Sequence, residues 1–346
     1  MDVVTQITLG AAVGQATMHR SLGNKAVAWG ALGGLLPDLD VLAYPLMNEI
    51  TQLTWHRGIS HGVPLMFLLA PLLGWLISRV HRGEVEKGRA MLFVFLALAT
   101  HVLIDAFTVY GTGVFEPFST HRVAFNNLFI IDPLYTVPLL LGVLASMLPG
   151  EVRARLFRNA IGLTLSSAYV VVTLLLKFAT LPAFERALEQ QGIAYTRLST
   201  APTAFNSLLW RGVAEDADGY WIGYRSVFDD SNAMSFWRVP RNRHLLDGME
   251  NERAVQTLLW FSDGWYTVSR VEGKTYFHDL RFGEFDVSKA ENSFGMGNPV
   301  RLGYVFTFAL EDRGGATPER YGIRQSDFEI QQFGTMMNTL WERIWR

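Results

Sequence analysis

Four apolar runs, near residues 62–80, 90–110, 128–148 and 159–179, constrain this chain more than any other feature of it. The first, GVPLMFLLAPLLGWLISRV, carries one charged residue, Arg79. About 20 such residues in a helix cross the hydrocarbon core of a bilayer. A backbone in lipid must satisfy its own hydrogen bonds, so these runs are expected as membrane helices. Two shorter runs precede them, residues 3–18 and 24–36. Their small residues (Gly10, Ala11, Ala12, Gly14, Ala16) permit close backbone contact, and the pair reads as a tight helical hairpin turning at His19, Arg20 and Lys25. Pro37 should end the second helix, and residues 41–55 read as an interfacial segment. The fold class that follows is a mainly α membrane bundle of about five to six hydrophobic helices over residues 1–180.

Residues 181–346 have a different texture and read as a soluble α+β, mostly antiparallel β, domain. Aromatic and β-branched runs alternate with turn signals: YTRLST, LLWRGVAE, YWIGYRSVF, WYTVSRV, KTYFHDLRFG and RLGYVFTFAL. Helices are expected at 183–192, capped by Gly192, and at 250–262 and 326–346. Trp341 and Trp345 either pack the last helix on the sheet or rest on lipid; packing on the sheet is the expectation.

Lysine and arginine concentrate at 79–89 and 153–158, which the positive-inside rule places in the cytoplasm. Alternating spans then bring residues 37–61, residues 111–127 and the C-terminal domain to the opposite, extracytoplasmic side. The segment MDVVTQITLGAAVG lacks the basic stretch of a cleavable signal peptide and is expected to remain. One orientation thus collects Asp2, Asp38, Asp40, His56, His61, His101, Asp105 and Asp132 at one membrane face.

Ionisable residues at membrane depth are costly and point to function. Imidazole nitrogen and carboxylate oxygen suit zinc and its neighbours. PDLD at 37–40 offers two carboxylates, WHRGISHG at 55–62 two histidines, and HVLID at 101–105 a histidine and an aspartate at i and i+4, on one helical face. Together they suffice for one to three divalent ions. A two-metal arrangement suits phosphoester hydrolysis, with Arg57 either holding a phosphate oxygen or pairing with an aspartate. One carboxylate, Asp38 foremost, would accept the proton. Thr108, Tyr110 and Asp132 are candidates to support the ligands through hydrogen bonds. His19 and His81 fall on the wrong side, His121 lies in a loop, and His244 and His278 lack carboxylates at ligand spacing.

The chain has no cysteine, which excludes disulfides, thiolate zinc sites and a cysteine nucleophile. Its net charge of −2 provides no basic field for nucleic acid. No P-loop, GxGxxG or GxSxG elbow occurs.

Taken in order, MDxxTQ, PDLD, HRGxSH, HxxxD with TxYGT, PFS and the Asp132-Pro133 pair resemble the YdjM-type family of inner-membrane, metal-dependent hydrolases, over about residues 1–180. The resemblance implies a multi-pass bacterial membrane protein. It also implies a divalent-metal site, zinc foremost, drawn from Asp38, Asp40, His56, His61, His101 and Asp105, with Asp2 nearby. Many relatives have histidine where this chain has Gln6, and His-Ser is more usual than His61-Gly62. The substrate expected is a lipid or other amphiphile bearing a phosphoester, met at the outer face of the cytoplasmic membrane. The alternatives are a metal transporter or sensor, disfavoured because the ligands crowd one face, and a scaffold with a structural metal.

Overall fold

The computed structural model describes residues 1–229, 234–285, 303–326 and 330–345. These separate into two compact units, residues 1–45 with 55–174, and residues 46–54 with 175–346.

In chain order the helices are α1 (Val3–Leu22), α2 (Lys25–Leu35), a 3₁₀ segment (Pro37–Leu46), α3 (Glu49–Trp55) and a 3₁₀ turn (Ile59–His61). Then come α4 (Val63–Val80), α5 (Lys87–Ala106), α6 (Pro133–Met147) and α7 (Val152–Gln190). Among the described residues α4, α5 and α7 are long and apolar enough to cross a membrane. α2 and the following 3₁₀ segment, bent by 51°, together have the length and composition of a broken span or a re-entrant loop, and α6 is a shorter apolar helix. Phe67, Leu68, Leu72, Trp75 and Leu76 leave one side of α4 exposed, as lipid contact requires.

The expected hairpin forms as α1 against α2. A Cβ on Gly30 would lie 2.2 Å from the Gly10 carbonyl oxygen, and one on Gly34 2.3 Å from that of Gln6. Only glycine lets the two backbones meet this closely. The bundle core behind them includes Ala12, Met18, Phe93, Leu98, Val102 and Leu139. Asp2 caps α1 by accepting from the Thr5 amide at 3.0 Å, and Asp132 caps α6 by accepting from that of Leu134 at 3.0 Å.

The helix expected at 183–192 is not separate: α7 runs unbroken through Pro182. An interior proline removes a hydrogen bond and costs about 3 kcal/mol. Burial of Ala183, Phe184, Ala187 and Leu188 offsets that cost. Gly192 ends the helix as expected, at φ +66°, with the Ile193 amide returned to the Leu188 carbonyl at 2.9 Å.

The second unit holds two antiparallel four-stranded sheets. The first has the order β1 (Arg197–Pro202), β2 (Leu209–Glu215), β3 (Gly219–Ser226), β4 (Phe236–Pro240). After α8 (Arg253–Phe261), the second has the order β5 (Tyr266–Val271), β6 (Lys274–Glu284), β7 (Tyr304–Asp312), β8 (Tyr321–Gln325). The terminal helix α9 covers Ile330–Ile344; residues 301–302, 327–329 and 346 of the expected strand and helix lie outside the described residues. β4 and β8 escape the sequence reading because FWRVP and YGIRQ are short and each carries an arginine, and FWRVP ends on proline, as edge strands tolerate. A buried ion pair joins the sheets: Arg211 of β2 donates through Nε to Glu284 of β6 at 2.9 Å and through Nη1 to the Leu280 carbonyl at 2.7 Å. Tyr224 adds its hydroxyl to Glu284 at 2.7 Å.

Candidate metal centre

Three segments of the first unit bring Asp38, His61, His101 and Asp105 together, one ligand atom from each lying within 4.8 Å of every other. α5 presents His101 and Asp105 one turn apart on its buried face. The 3₁₀ turn before α4 presents His61, and the 3₁₀ segment after α2 presents Asp38.

The spacing has the form of a coordination shell. His61 Nε2 lies 3.1 Å from His101 Nε2, 3.4 Å from Asp38 Oδ1 and 3.3 Å from Asp105 Oδ2. His101 Nε2 lies 3.5 Å from Asp38 Oδ1 and 3.7 Å from Asp105 Oδ2. Four nitrogen and oxygen ligands about 2.0–2.2 Å from a tetrahedral zinc would stand about 3.3–3.6 Å apart.

The far nitrogens fix the tautomers. His101 Nδ1 lies 2.7 Å from the Gly34 carbonyl, which can only accept, so Nδ1 carries the proton. Ser60 Oγ donates to Asp40 Oδ2 at 2.8 Å and therefore accepts from His61 Nδ1, also at 2.8 Å. Both neutral rings thus turn an Nε2 lone pair toward the same point. Asp38 Oδ1 and Asp105 Oδ2, also without a hydrogen-bond donor among the described residues, face it with them. Four lone pairs so gathered can hold a cation beyond the two, Arg57 and the Met1 amino group, that already meet Asp105. The donor set, two imidazoles and two carboxylates, suits zinc or a neighbouring divalent metal.

His61, His101 and Asp105 are sealed from solvent, whereas the Asp38 side chain is 15% exposed, so the cluster opens at Asp38. Arg57 lies behind it, with Nε 3.1 Å from Asp105 Oδ2 and Nη1 donating to Thr108 Oγ1 at 3.0 Å. Its guanidinium carbon stands 4.8 Å over the Tyr110 ring. Of the two sequence roles for Arg57, the structure displays the pairing with an aspartate. Its backbone adopts φ +58°, uncommon for a non-glycine residue, and is held there at both ends. The Arg57 amide donates to Asp40 Oδ2 at 3.2 Å, and its carbonyl accepts from Gly113 at 2.8 Å.

The remaining sequence candidates lie outside this ligand set. Asp40 accepts from Ser60, and its Oδ1 lies 3.0 Å from His56 Nδ1. His56 meets the rings of Tyr44, Tyr110 and His61 edge-on. Asp2 is engaged in capping α1, and Asp132 in capping α6 and accepting from Tyr169 at 2.9 Å. Gln6 donates to Asp105 Oδ1 at 2.8 Å, as the Met1 amino nitrogen also does, while Gln6 Oε1 is buried without a donor among the described residues. His19 is buried beside Gln15, His81 Nε2 accepts from Trp29 at 2.7 Å, and His121 and His244 are exposed. His278 lies between the hydroxyls of Ser269 and Thr307, at 2.8 and 2.9 Å.

Sequence reasoning missed three contributors. Ser60 was legible only as a neighbour of His61, and the Gly34 carbonyl had no side-chain signal at all. Glu116 sits in the loop after α5, where burial pushes its carboxyl above the ordinary range against the opposing charge of Arg122. That loop presses on the histidine turn, since a Cβ on Gly62 would lie 2.4 Å from the Glu116 carbonyl oxygen. The glycine after His61 is therefore required here.

The sequence pattern of one family, described as YdjM inner membrane protein, matches residues 1–181. The uncharacterized protein YfhP of Bacillus subtilis (strain 168) is 28% identical over 140 residues, covering 38% of this chain and 42% of that protein. The inner membrane protein YbcI of Escherichia coli (strain K12) is 26% identical over 112 residues, 32% of this chain and 64% of that one. The chain thus matches less than two thirds of the length of either curated relative. No solved structure matches it.

Proposed function

Because the chain belongs to the YdjM family of inner membrane proteins, we propose that it is a membrane-bound metal-dependent hydrolase. Its substrate is a phosphoester carried by a lipid or other amphiphile, met at the outer face of the cytoplasmic membrane. One observation carries the reading: two tautomer-fixed imidazoles and two carboxylates converge at ligand spacing, with their one open flank at Asp38.

In this reading His61, His101, Asp105 and Asp38 hold the ion, which when bound supplies Lewis acidity and an activated water. Ser60, Asp40 and the Gly34 carbonyl keep the imidazoles aimed. Arg57 turns its charge from Asp105 toward a phosphoryl oxygen as the anion enters. Asp38, the most exposed of the four, accepts the proton at the open flank. The Lys/Arg-rich turns at 79–89 and 153–158 support a cytoplasmic placement for those turns and an extracytoplasmic one for the C-terminal domain.

A structural metal is the competing reading, since four protein ligands can close a tetrahedron. The deciding experiment measures metal content of the full-length protein in detergent, together with release of phosphate or headgroup from phospholipid, phosphodiester and phosphomonoester substrates. Bound divalent metal with turnover lost in His61→Ala and Asp38→Asn supports the hydrolase. Stoichiometric metal without turnover of any of these substrates rejects it in favour of a structural ion.

A further inference from the structure

α9 has two unlike faces. Met336, Leu340 and Ile344, spaced four apart, are buried, and the helix packs on β2. Ser226 Oγ donates to the Ile344 carbonyl at 2.7 Å, and Arg343 pairs with Asp229 at 3.0 Å. The other face carries Trp341 and Trp345, 60% and 57% exposed. These are not the core contacts expected from the sequence. The two indoles meet edge-on at 5.6 Å, and Trp345 stacks on Phe228, itself 53% exposed, at 5.1 Å. A single exposed aromatic needs no explanation, but three gathered into one patch do.

The same unit contains the end of α7, a helix apolar enough to cross a membrane. Leu175 and Phe178 on it are strongly exposed. Six residues after Phe178, Phe184 is fully buried, and a Cβ on Gly212 of β2 would lie 2.4 Å from its ring. At 1.5 Å per residue that is a rise of about 9 Å. The sheet on which α9 packs therefore begins within about one helix diameter of a ring suited to lipid.

We propose that Phe228, Trp341 and Trp345 form a membrane-interface anchor. The stack enters the headgroup–acyl boundary of the leaflet from which α7 emerges and holds the first sheet against the bilayer. Tryptophan suits this depth because its ring leaves water while its N–H keeps a polar partner. The anchor is independent of what the metal centre does.

The chain has no cysteine, so Trp341→Cys, Trp345→Cys and Phe228→Cys in the full-length protein each accept one spin label. The proteins are reconstituted in vesicles of phosphatidylethanolamine and phosphatidylglycerol, with a label at exposed Lys274 as the control in water. Collisions with oxygen relative to a water-soluble nickel chelate should be severalfold higher at the three anchor positions than at position 274. A ratio equal to the control overturns the proposal, because the patch then faces water. Low collision with both reagents also overturns it, in favour of a protein partner or a second copy. Each label removes one anchor ring, so a second measurement uses Trp341→Phe/Trp345→Phe. Lipids with brominated acyl chains should quench a smaller share of tryptophan fluorescence in this variant than in wild type; an unchanged share likewise overturns the anchor.

Discussion

Ser60→Ala should weaken metal binding without touching a ligand. The hydroxyl accepts from His61 Nδ1 and donates to Asp40 Oδ2, each at 2.8 Å. Without it, the acceptor left for Nδ1 is Asp40 Oδ2, 4.0 Å away. The ring must close about 1 Å to reach hydrogen-bonding distance, which turns Nε2 off its point, or else forfeit the bond that fixes its tautomer. Loss of such a supporting partner costs about 10–100-fold in metal affinity, or about 1.4–2.7 kcal/mol. At a fixed metal concentration well above the dissociation constant, thermal stability should fall by a similar amount. The assay equilibrates full-length protein in detergent with chelator-buffered zinc and measures bound metal by mass spectrometry. Ser60→Thr keeps the hydroxyl and should recover most of the affinity. Thr54→Ala, which removes an exposed hydroxyl bonded to the Thr51 carbonyl at 2.9 Å, should change nothing. If Ser60→Ala binds zinc as wild type does and melts at the wild-type temperature, the tautomer argument is refuted.

Gly30→Ala should separate α1 from α2, since its Cβ would lie 2.2 Å from the Gly10 carbonyl oxygen; overpacking of this kind costs about 1–3 kcal/mol. Because Gly34, one turn on, holds His101, bound metal should fall along with the melting temperature, and a variant with full metal content contradicts the coupling. Glu284→Gln should destabilise the second unit by about 3–5 kcal/mol, because it leaves the buried Arg211 charge uncompensated. A loss under about 1 kcal/mol by calorimetry would argue that water reaches the pair. Burial lowers the His278 imidazole from 6.5 to about 4, so its unfolded form binds protons that its folded form does not. The stability this residue contributes is complete above about pH 6.5 and is lost as pH falls toward 4, by about 3 kcal/mol in all. Melts at pH 7 and 4.5 should show a smaller acid loss for His278→Gln than for wild type; equal losses would exclude His278 as the cause.

Lipid made the bundle legible. A span must be long, apolar and hydrogen-bonded within itself, so α4 and α5 could be placed from hydropathy alone. The HVLID pair was legible for a similar reason, since i and i+4 share a helical face. PDLD was not resolvable in the same way. It folds as 3₁₀, with three residues per turn, so Asp38 and Asp40 point in different directions. One joins the ligand cluster and the other serves Ser60 and His56. The two histidines of HRGISH are divided by the left-handed backbone of Arg57, a conformation no residue pattern announces. α7 was cut short at Pro182 because local propensity could not register the burial of Phe184 and Leu188 beyond it.

The charge balance of the cluster bears on which substrates it can take. Asp38, Asp40 and Asp105 carry three negative charges, Arg57 and the Met1 amino group that pairs with Asp105 two positive, and the two imidazoles are neutral in the tautomers their partners fix. These seven groups therefore hold one negative charge before an ion enters and one positive charge after a divalent ion has entered. A net positive centre buried beside an apolar bundle is costly unless an anion completes it. A neutral carboxylic ester or amide leaves that charge uncompensated, whereas a phosphodiester carries the one negative charge required. The open flank at Asp38 lets such an anion approach while His61, His101 and Asp105 stay sealed. In the proposed reading, metal loading and anion affinity are therefore coupled through one buried charge, as a phosphoester substrate would require.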